Sequence, residues 1–460
     1  MPLSRRDFIG GLGSGLALTA CSGLPRISLE QGNSQYDYIL TAEPSPIELI
    51  PGTTTPAWTF NQGFPSPVIR ARQGQEVSIL FRNRLPEPTT IHWHGIRLPI
   101  AMDGVPFLTQ PPIQPGEDFV YRFTPPDAGT FWYHPHVNSL VQLGRGLVGP
   151  IIVEEATPTN FDEDLPLMLK NWHLNEDGSF APFTSPRAAF RMGTPGAWES
   201  VNGQQNPVHN VAPGSLVRLR FLNVDNTVMY TLAIPDHPAW IVAVDGNPIA
   251  NPRPLTQHEM GPGMRLDIAL IAPHEPGQSV SIKNAKGRFL FELMTLKTTA
   301  EPALGSREIS PLPLNPVPEP DIENAEKLNF VFEWEGAITP TDKAGKSNHQ
   351  FWTINRRAWE GMSNGNIPAP LATLDLGKTY IFRLKNVTPH SHPIHLHGFT
   401  WTVLRSNQKT IETYHTDTVL LQKNEMVEVA FVADNPGRWM YHCHVIEHMK
   451  TGLMGYITVR

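Results

Sequence analysis

The stretch Trp439 to Met454 reads WMYHCHVIEHMKTGLM, and the rest of the chain is organised around it. Three histidines and Cys443 fall within seven residues, a concentration of soft and borderline metal ligands that packing alone does not require. If WMYHCHV runs as a β-strand, side chains alternate between faces, so His442 and His444 point one way and Cys443 the other. One strand end then serves two different metal sites. Cys443 with His448, a turn further on, supplies a thiolate and an imidazole; one more imidazole completes the His2Cys set that selects copper of the blue electron-transfer kind.

That imidazole is found at 392–398, where the chain reads HPIHLHG. His395 and His397 are two apart and share a face, whereas His392 is an odd step away and faces the other side of an extended segment, as Pro393 encourages for its predecessor. His392 therefore goes with Cys443. The pairs 395/397 and 442/444 are left for a second site, together with His92 and His94 in HWHG and His134 and His136 in WYHPH. By chance, 18 His in 460 residues supply about one pair with this spacing, so a single pair is an ordinary strand feature but four are not.

These four motifs, in this order, resemble the copper signatures of the multicopper oxidases, the family of laccases, cuprous oxidases and ascorbate oxidase. The resemblance covers the whole chain after its leader. It implies four copper ions: a type 1 ion on His392, Cys443 and His448, a type 2 ion on His92 and His395, and a type 3 pair on His94, His134, His136, His397, His442 and His444. It also implies that electrons entering at type 1 pass through Cys443 to its neighbours His442 and His444, and that four stored electrons take O2 to water.

The resemblance extends to three further positions. Asp103, in MDGVP, stands where the family carries a carboxylate that steers protons to oxygen; the alternative is an Asp-Gly turn. Met449 follows the last histidine where many bacterial members carry an acid. The axial position of the type 1 copper falls on Leu453, which offers no donor atom, and a shift of one residue would place Met454 there instead.

Residues 1–24, MPLSRRDFIGGLGSGLALTACSGL, resemble a twin-arginine export signal, with Arg5-Arg6 ahead of an apolar, glycine-rich run too short to span a membrane. The expected partner is the twin-arginine machinery, and the expected place is the periplasm. Leu18-Thr19-Ala20-Cys21 also resembles a lipobox, in which Cys21 becomes a lipid anchor on the outer side of the membrane; a plain cleavage site near Ala20 is the alternative. With Cys21 in the leader, only Cys443 remains and no intrachain disulfide can form.

The length predicts about three domains. The 46 Pro and 36 Gly, with 17% charged residues, argue for short strands and many turns. A net charge of -7 gives no basic footprint, so nucleic acid is not an expected partner.

A repeat agrees with the domain count. GQEVSILFRN (74–83), GSLVRLRFLN (214–223) and GKTYIFRLKN (377–386) each read as an alternating strand closed by Asn. Nine and eleven residues after Asn83 and Asn386 stand His92/His94 and His395/His397; after Asn223 the same places hold Leu232 and Ile234. Gly129 precedes His134 by the step that separates Gly437 from His442, and Gly277 by the same step leads to Ile282. The expected architecture is all-β: three cupredoxin-like Greek-key sandwiches at 36–157, 158–300 and 325–460, joined before the last by a Pro-rich linker at 301–324. Domains 1 and 3 share the cluster, and domain 2 is structural.

The expected reducing substrate is a phenol or aromatic amine. Cuprous oxidases of the family carry a methionine-rich insert and metal-binding groups just before HPxHxHG; here the 13 Met are scattered and those places hold Thr388 and His390. A metallo-oxidase of Cu(I), Fe(II) or Mn(II) serving copper tolerance is the alternative, and a non-enzymatic cupredoxin scaffold, which would lose its ligands, is a third reading.

Overall fold

The computed structural model describes residues 35–335 and 350–460. The export signal and Cys21 lie outside them. The described residues form six sheets, and these pair off along the chain into cupredoxin-like all-β units. Strands Tyr38–Ile47 to Gly149–Glu154 make a pair of four-stranded sheets, Glu163–Trp172 to Phe289–Thr298 a six- and a five-stranded sheet, and Glu326–Trp334 to Met454–Val459 another six and five. Each pair closes over one apolar core: Leu40, Phe81, Trp93 and Ile151 in the first, Leu167, Phe221, Leu232 and Ile282 in the second, Phe330, Phe382, Ile394 and Trp439 in the third. Leu232 and Ile234, which replace histidines in the repeat, are core residues of the middle sandwich.

The repeat has a physical cause. Each copy opens on a glycine in the left-handed region, φ 73° at Gly74, 72° at Gly214 and 81° at Gly377, and closes on a buried Asn that clamps the next loop. Asn83 accepts from the Leu85 amide at 2.9 Å and donates to the Ile113 carbonyl at 2.9 Å. Asn223 accepts from the Asp225 amide and donates to Val228 and Met260; Asn386 accepts from Thr388 and donates to His390 and Gln422. In the outer sandwiches this clamped loop delivers the HxH strand.

The Pro-rich stretch is no free spacer. Asn315 exchanges hydrogen bonds with the Ala128 backbone, Arg307 forks onto Asp162 at 2.8 Å, and Leu312 is buried against the middle sandwich. It is fixed across the first two units and carries the chain to the third.

Gly129 and Gly437 open the strands Gly129–His134 and Gly437–Cys443 with φ of 143° and 149°. A Cβ on Gly129 would lie 2.0 Å from the Gly246 carbonyl oxygen, so the first and middle sandwiches touch backbone to backbone. Gly277, at the same repeat step with φ 76°, faces open space. Gly129→Ala is therefore expected to cost about 3 kcal/mol, from strain plus overpacking, and Gly277→Ala only about 1 kcal/mol. Urea midpoints of the two variants measure the difference, and equal midpoints would mean that the interface at Gly129 yields freely.

Candidate metal centre

Two buried groups of ligands meet at the ends of paired strands. The strand His392–Leu396 pairs with Gly437–Cys443 so that Ile394 stands opposite Cys443 and His395 opposite His442. Parity then sends Cys443 and His442 to different faces. On one face, His392 Nδ1 and His448 Nδ1 are 3.1 Å apart, and each lies 3.6 Å from Cys443 Sγ. His448 comes from the short helix Ile446–Lys450 that follows the strand.

The other nitrogens of these two rings are tied down. His448 Nε2 donates to the Arg191 carbonyl at 2.7 Å. His392 Nε2 donates to Thr388 Oγ1 at 2.8 Å, and that hydroxyl in turn donates to the His390 carbonyl. Both Nδ1 lone pairs therefore face the sulfur. Burial pushes His448 down to about 3 and the Cys443 thiol up, so the groups are neutral until a cation arrives. Trp352 covers the trio, its ring 4.4 Å from His448 and 5.0 Å from His392.

The second group joins the outer sandwiches. His92 stands opposite His134 in the first, as His395 stands opposite His442 in the third. The two halves are related by an approximate internal two-fold: His92 stacks on His397 at 3.7 Å, and His94 on His395 at 3.8 Å. Mutually close ligand sets include His94, His134 and His444, and their two-fold counterpart His136, His397 and His442. All eight rings are buried.

Two aspartates hold this cluster in the same way. The Asp103 carbonyl accepts from His92 Nδ1 at 2.8 Å while its carboxylate accepts from His397 Nδ1 at 3.0 Å. The Asp417 carbonyl accepts from His395 Nδ1 at 2.8 Å while its carboxylate accepts from His94 Nε2 at 3.1 Å. Carbonyls of Pro135 and Cys443 take the Nδ1 protons of His134 and His442. What remains are buried ring nitrogens without a protein partner: Nε2 of His92, His134, His136 and His395, Nδ1 of His94, and both of His444. Orphaned imidazole nitrogens converging in one dry space are what a metal cluster needs. Burial pushes His94, His134, His136, His397, His442 and His444 well below the ordinary value, so each is neutral and has a lone pair to give.

Comparison with known proteins gives the same picture across the whole length. The family models described as multicopper oxidase match residues 41–158, 155–285 and 334–460. The crystal structure of a multi-copper oxidase from Pseudomonas thermotolerans is 47% identical with a TM-score of 0.84, covering 92% of this chain and 98% of that one. The chain belongs to the multicopper oxidase family. Multicopper oxidase MmcO of Mycobacterium tuberculosis is 28% identical over 98% of this chain and 95% of its own. A Campylobacter jejuni multicopper oxidase described as a metallo-oxidase is 25% identical, covering 95% of this chain and 94% of that one, with a TM-score of 0.79.

Copper fits the donors of this multicopper oxidase: neutral imidazoles throughout and one thiol at the trio. The predicted residues His92, His94, His134, His136, His395, His397, His442 and His444 come together in one group, and His392, Cys443 and His448 in the other. Asp103 ends a short 3-10 turn ahead of Gly104 (φ 78°), and its buried carboxylate reaches His397. His390 is half-buried beside Trp352, outside both groups.

Sequence spacing missed the partners that orient the ligands. Asp417 and Thr418 lie 22 and 23 residues beyond His395, where the strand Tyr414–Thr416 gives way to Thr418–Leu421 and no HxH pair marks the sequence, and Thr418 Oγ1 is 3.1 Å from His395 Nδ1. Arg265 of the middle sandwich forks onto Asp417, Nη1 to Oδ1 at 2.9 Å and Nη2 to Oδ2 at 2.5 Å. Burial alone would raise the Asp417 carboxyl; the Arg265 guanidinium outweighs it and holds Asp417 well below the usual carboxylate range. The neighbouring Asp245 is pushed up to about 7, chiefly by burial.

Proposed function

We propose that this multicopper oxidase is laccase-like, coupling one-electron oxidation of phenols or aromatic amines to four-electron reduction of O2 to water. In this reading His392, Cys443 and His448 hold a type 1 copper, His92 and His395 a type 2 copper, and His94, His134, His136, His397, His442 and His444 a type 3 pair. The observation that carries it is the sequence His442-Cys443-His444, whose outer members enter the cluster and whose middle member enters the trio. Copper bound at the two groups would supply one-electron oxidation at one and storage of the electrons that O2 requires at the other.

The chain's own residues do the rest. Cys443 is covalently continuous with two cluster ligands, giving a through-bond path from trio to cluster. The Arg191 carbonyl and Trp352 shield His448 from bulk water, so oxidation at the trio proceeds through a substrate docked outside them. Asp103 reaches both His92 and His397, with its Oδ1 3.2 Å and 3.0 Å away, and is placed to hold a proton for oxygen.

The phenolic substrate is favoured because Thr388, at the position where a cuprous oxidase binds its ion, is committed to His392 and offers no free ligand. The metallo-oxidase reading rests on the Campylobacter jejuni relative and on Met192, a thioether 40% exposed next to Arg191. Oxygen uptake by the copper-loaded protein decides between them: catalytic efficiency is expected to be highest with a phenol and lower with Cu(I), Fe(II) and Mn(II). A preference for Cu(I) would reverse the assignment. In the same assay Cys443→Ser should lose blue colour and uptake while still binding copper at the histidine cluster, and a retained blue band would refute the trio.

Asp103→Asn preserves the turn and an oxygen acceptor for His397 but cannot carry a proton. Stopped-flow kinetics should find reoxidation by O2 slowed about 100-fold and reduction of the blue centre unchanged. Parent-like rates in both steps would leave Asp103 an orienting residue alone.

Strand register supports Leu453, rather than Met454, as the residue beside the trio. His442 stands opposite Met454, so Met454 shares the cluster's side, and it packs with Met440 and Met449. Leu453 falls on the side of Cys443, whose amide donates to the Leu453 carbonyl at 3.0 Å, and the two share the core of the third sandwich. A leucine leaves Cu(II) less stabilised than a thioether would. In redox titration of the blue band, Leu453→Met should lower the potential and Met454→Leu should scarcely move it; the opposite pattern would make Met454 the axial residue.

A further inference from the structure

The middle sandwich holds no ligand of either group, yet one of its side chains touches all three sandwiches at the cluster. Arg265 is fully buried. Its Nε donates to the Thr130 carbonyl at 3.1 Å, in the strand that ends at His134. Its Nη1 donates to the Gly263 carbonyl of its own sandwich at 3.1 Å and, with Nη2, it closes a fork on both oxygens of Asp417 in the third. Asp417 is the residue whose carboxylate takes the His94 proton and whose carbonyl takes the His395 proton.

The internal two-fold makes the role of Arg265 visible. Asp103 and Asp417 do the same work on the two halves of the cluster, each giving its carbonyl to one histidine and its carboxylate to another. Only Asp417 has a guanidinium on it; among the described residues the ion pairs of Asp103 are to His92 and His397 alone. A carboxylate held by a two-pronged donor can neither rotate nor turn an oxygen away, and planar bidentate pairing is what an arginine supplies and a lysine does not. With Asp417 so fixed, the His94 proton must sit on Nε2 and its Nδ1 lone pair must face the cluster, while His395 keeps its lone pair on Nε2.

We propose that Arg265 is a positioning residue of the histidine cluster: by locking Asp417 it selects the tautomers of His94 and His395 that expose one lone pair each to copper, so the middle sandwich takes part in metal binding without supplying a ligand. This rests on the reading of the cluster as a copper site. Partners of metal-ligating histidines are worth about 10- to 100-fold in metal affinity.

The test compares the parent with Arg265→Lys, Arg265→Gln and Arg218→Lys. Arg218 is an equally buried guanidinium of the same sandwich, paired with Glu155 and Asp267 and not with Asp417, so it matches the structural disturbance. Copper retained against a graded chelator, the type 2 electron paramagnetic resonance signal, the blue band and the melting temperature of the metal-free protein are measured on each. Both Arg265 variants should release cluster copper at about 10- to 100-fold lower chelator and change the type 2 signal, with the blue band kept; Arg218→Lys should lower the melting temperature and leave cluster copper as in the parent. Parent-like copper retention in the Arg265 variants, with only the melting temperature lowered, would overturn the proposal and make Arg265 a clamp between sandwiches. If neither Arg265 variant folds, Asp417→Asn takes their place, with weakened cluster copper expected and unchanged retention again overturning it. A parent that holds only the blue copper would overturn the reading of the cluster itself, and this inference with it.

Discussion

A neutral imidazole has one donor and one acceptor nitrogen, and it can give its lone pair inward only if something outside takes its proton. Ten histidines of this chain are removed from water under that constraint. Burial alone makes them neutral but does not choose the tautomer. For eight of them the choice is made by oxygens: carbonyls of Asp103, Pro135, Asp417, Cys443 and Arg191, carboxylates of Asp103 and Asp417, and the Thr388 hydroxyl. Most are backbone oxygens, so the site depends on sheet register and loop conformation as much as on the ligands.

Register is in turn guarded by the repeat. A slip of one residue would exchange the faces of His442 and Cys443 and mix the two groups. The buried Asn at the end of each repeated strand prevents it by fixing the loop that leads to the next strand, and the tight glycines at 129 and 437 allow the following strands to meet their neighbours. The middle sandwich keeps the same clamp at Asn223 but fills the ligand places with Leu232 and Ile234. It spends its polar residues on the interfaces instead: Arg218 and Arg220 converge on Asp267, which accepts from Thr130 of the first sandwich at 2.7 Å.

The ligands and the division into two groups were legible because they obey period two within short segments: HxH spacing, the odd step to His392 and the Cys443 parity need only a strand. His444 and His397 lie one residue past their strand ends, and they still follow that alternation. The orienting shell was not legible, because it is set by tertiary placement. Arg265 and Asp417 are 152 residues apart, His94 and Asp417 are 323 apart, and neither Asp nor Arg carries a spacing signal. Thr388 was noticed only as the place where an expected metal ligand is missing; its use, holding the ring of His392, appears once the loop clamped by Asn386 is folded. The middle unit supplies no ligand to either group, as Leu232 and Ile234 at the histidine places implied; its contact with Asp417 through Arg265 was not legible for the same reason, since that contact crosses all three sandwiches.

The absent acid after the last histidine has a structural counterpart in the residue before it. Met449 packs among Leu140, Met440, Ile446 and Met454, and a carboxylate there would be buried without a partner, at a cost that would force it to stay protonated. Glu447, on the same short helix, is equally buried, but the bonds of its carboxylate go to the middle sandwich: the Thr184 hydroxyl, the Thr194 amide and hydroxyl, and the Thr227 hydroxyl. Those bonds hold the helix of His448 against the segment whose Arg191 carbonyl receives the His448 proton. The acid of this helix is thus used to fix the trio rather than to serve the cluster. Of the carboxylates that touch cluster histidines, Asp417 is held as an anion by Arg265, and Asp103 alone is left without a cation to hold it.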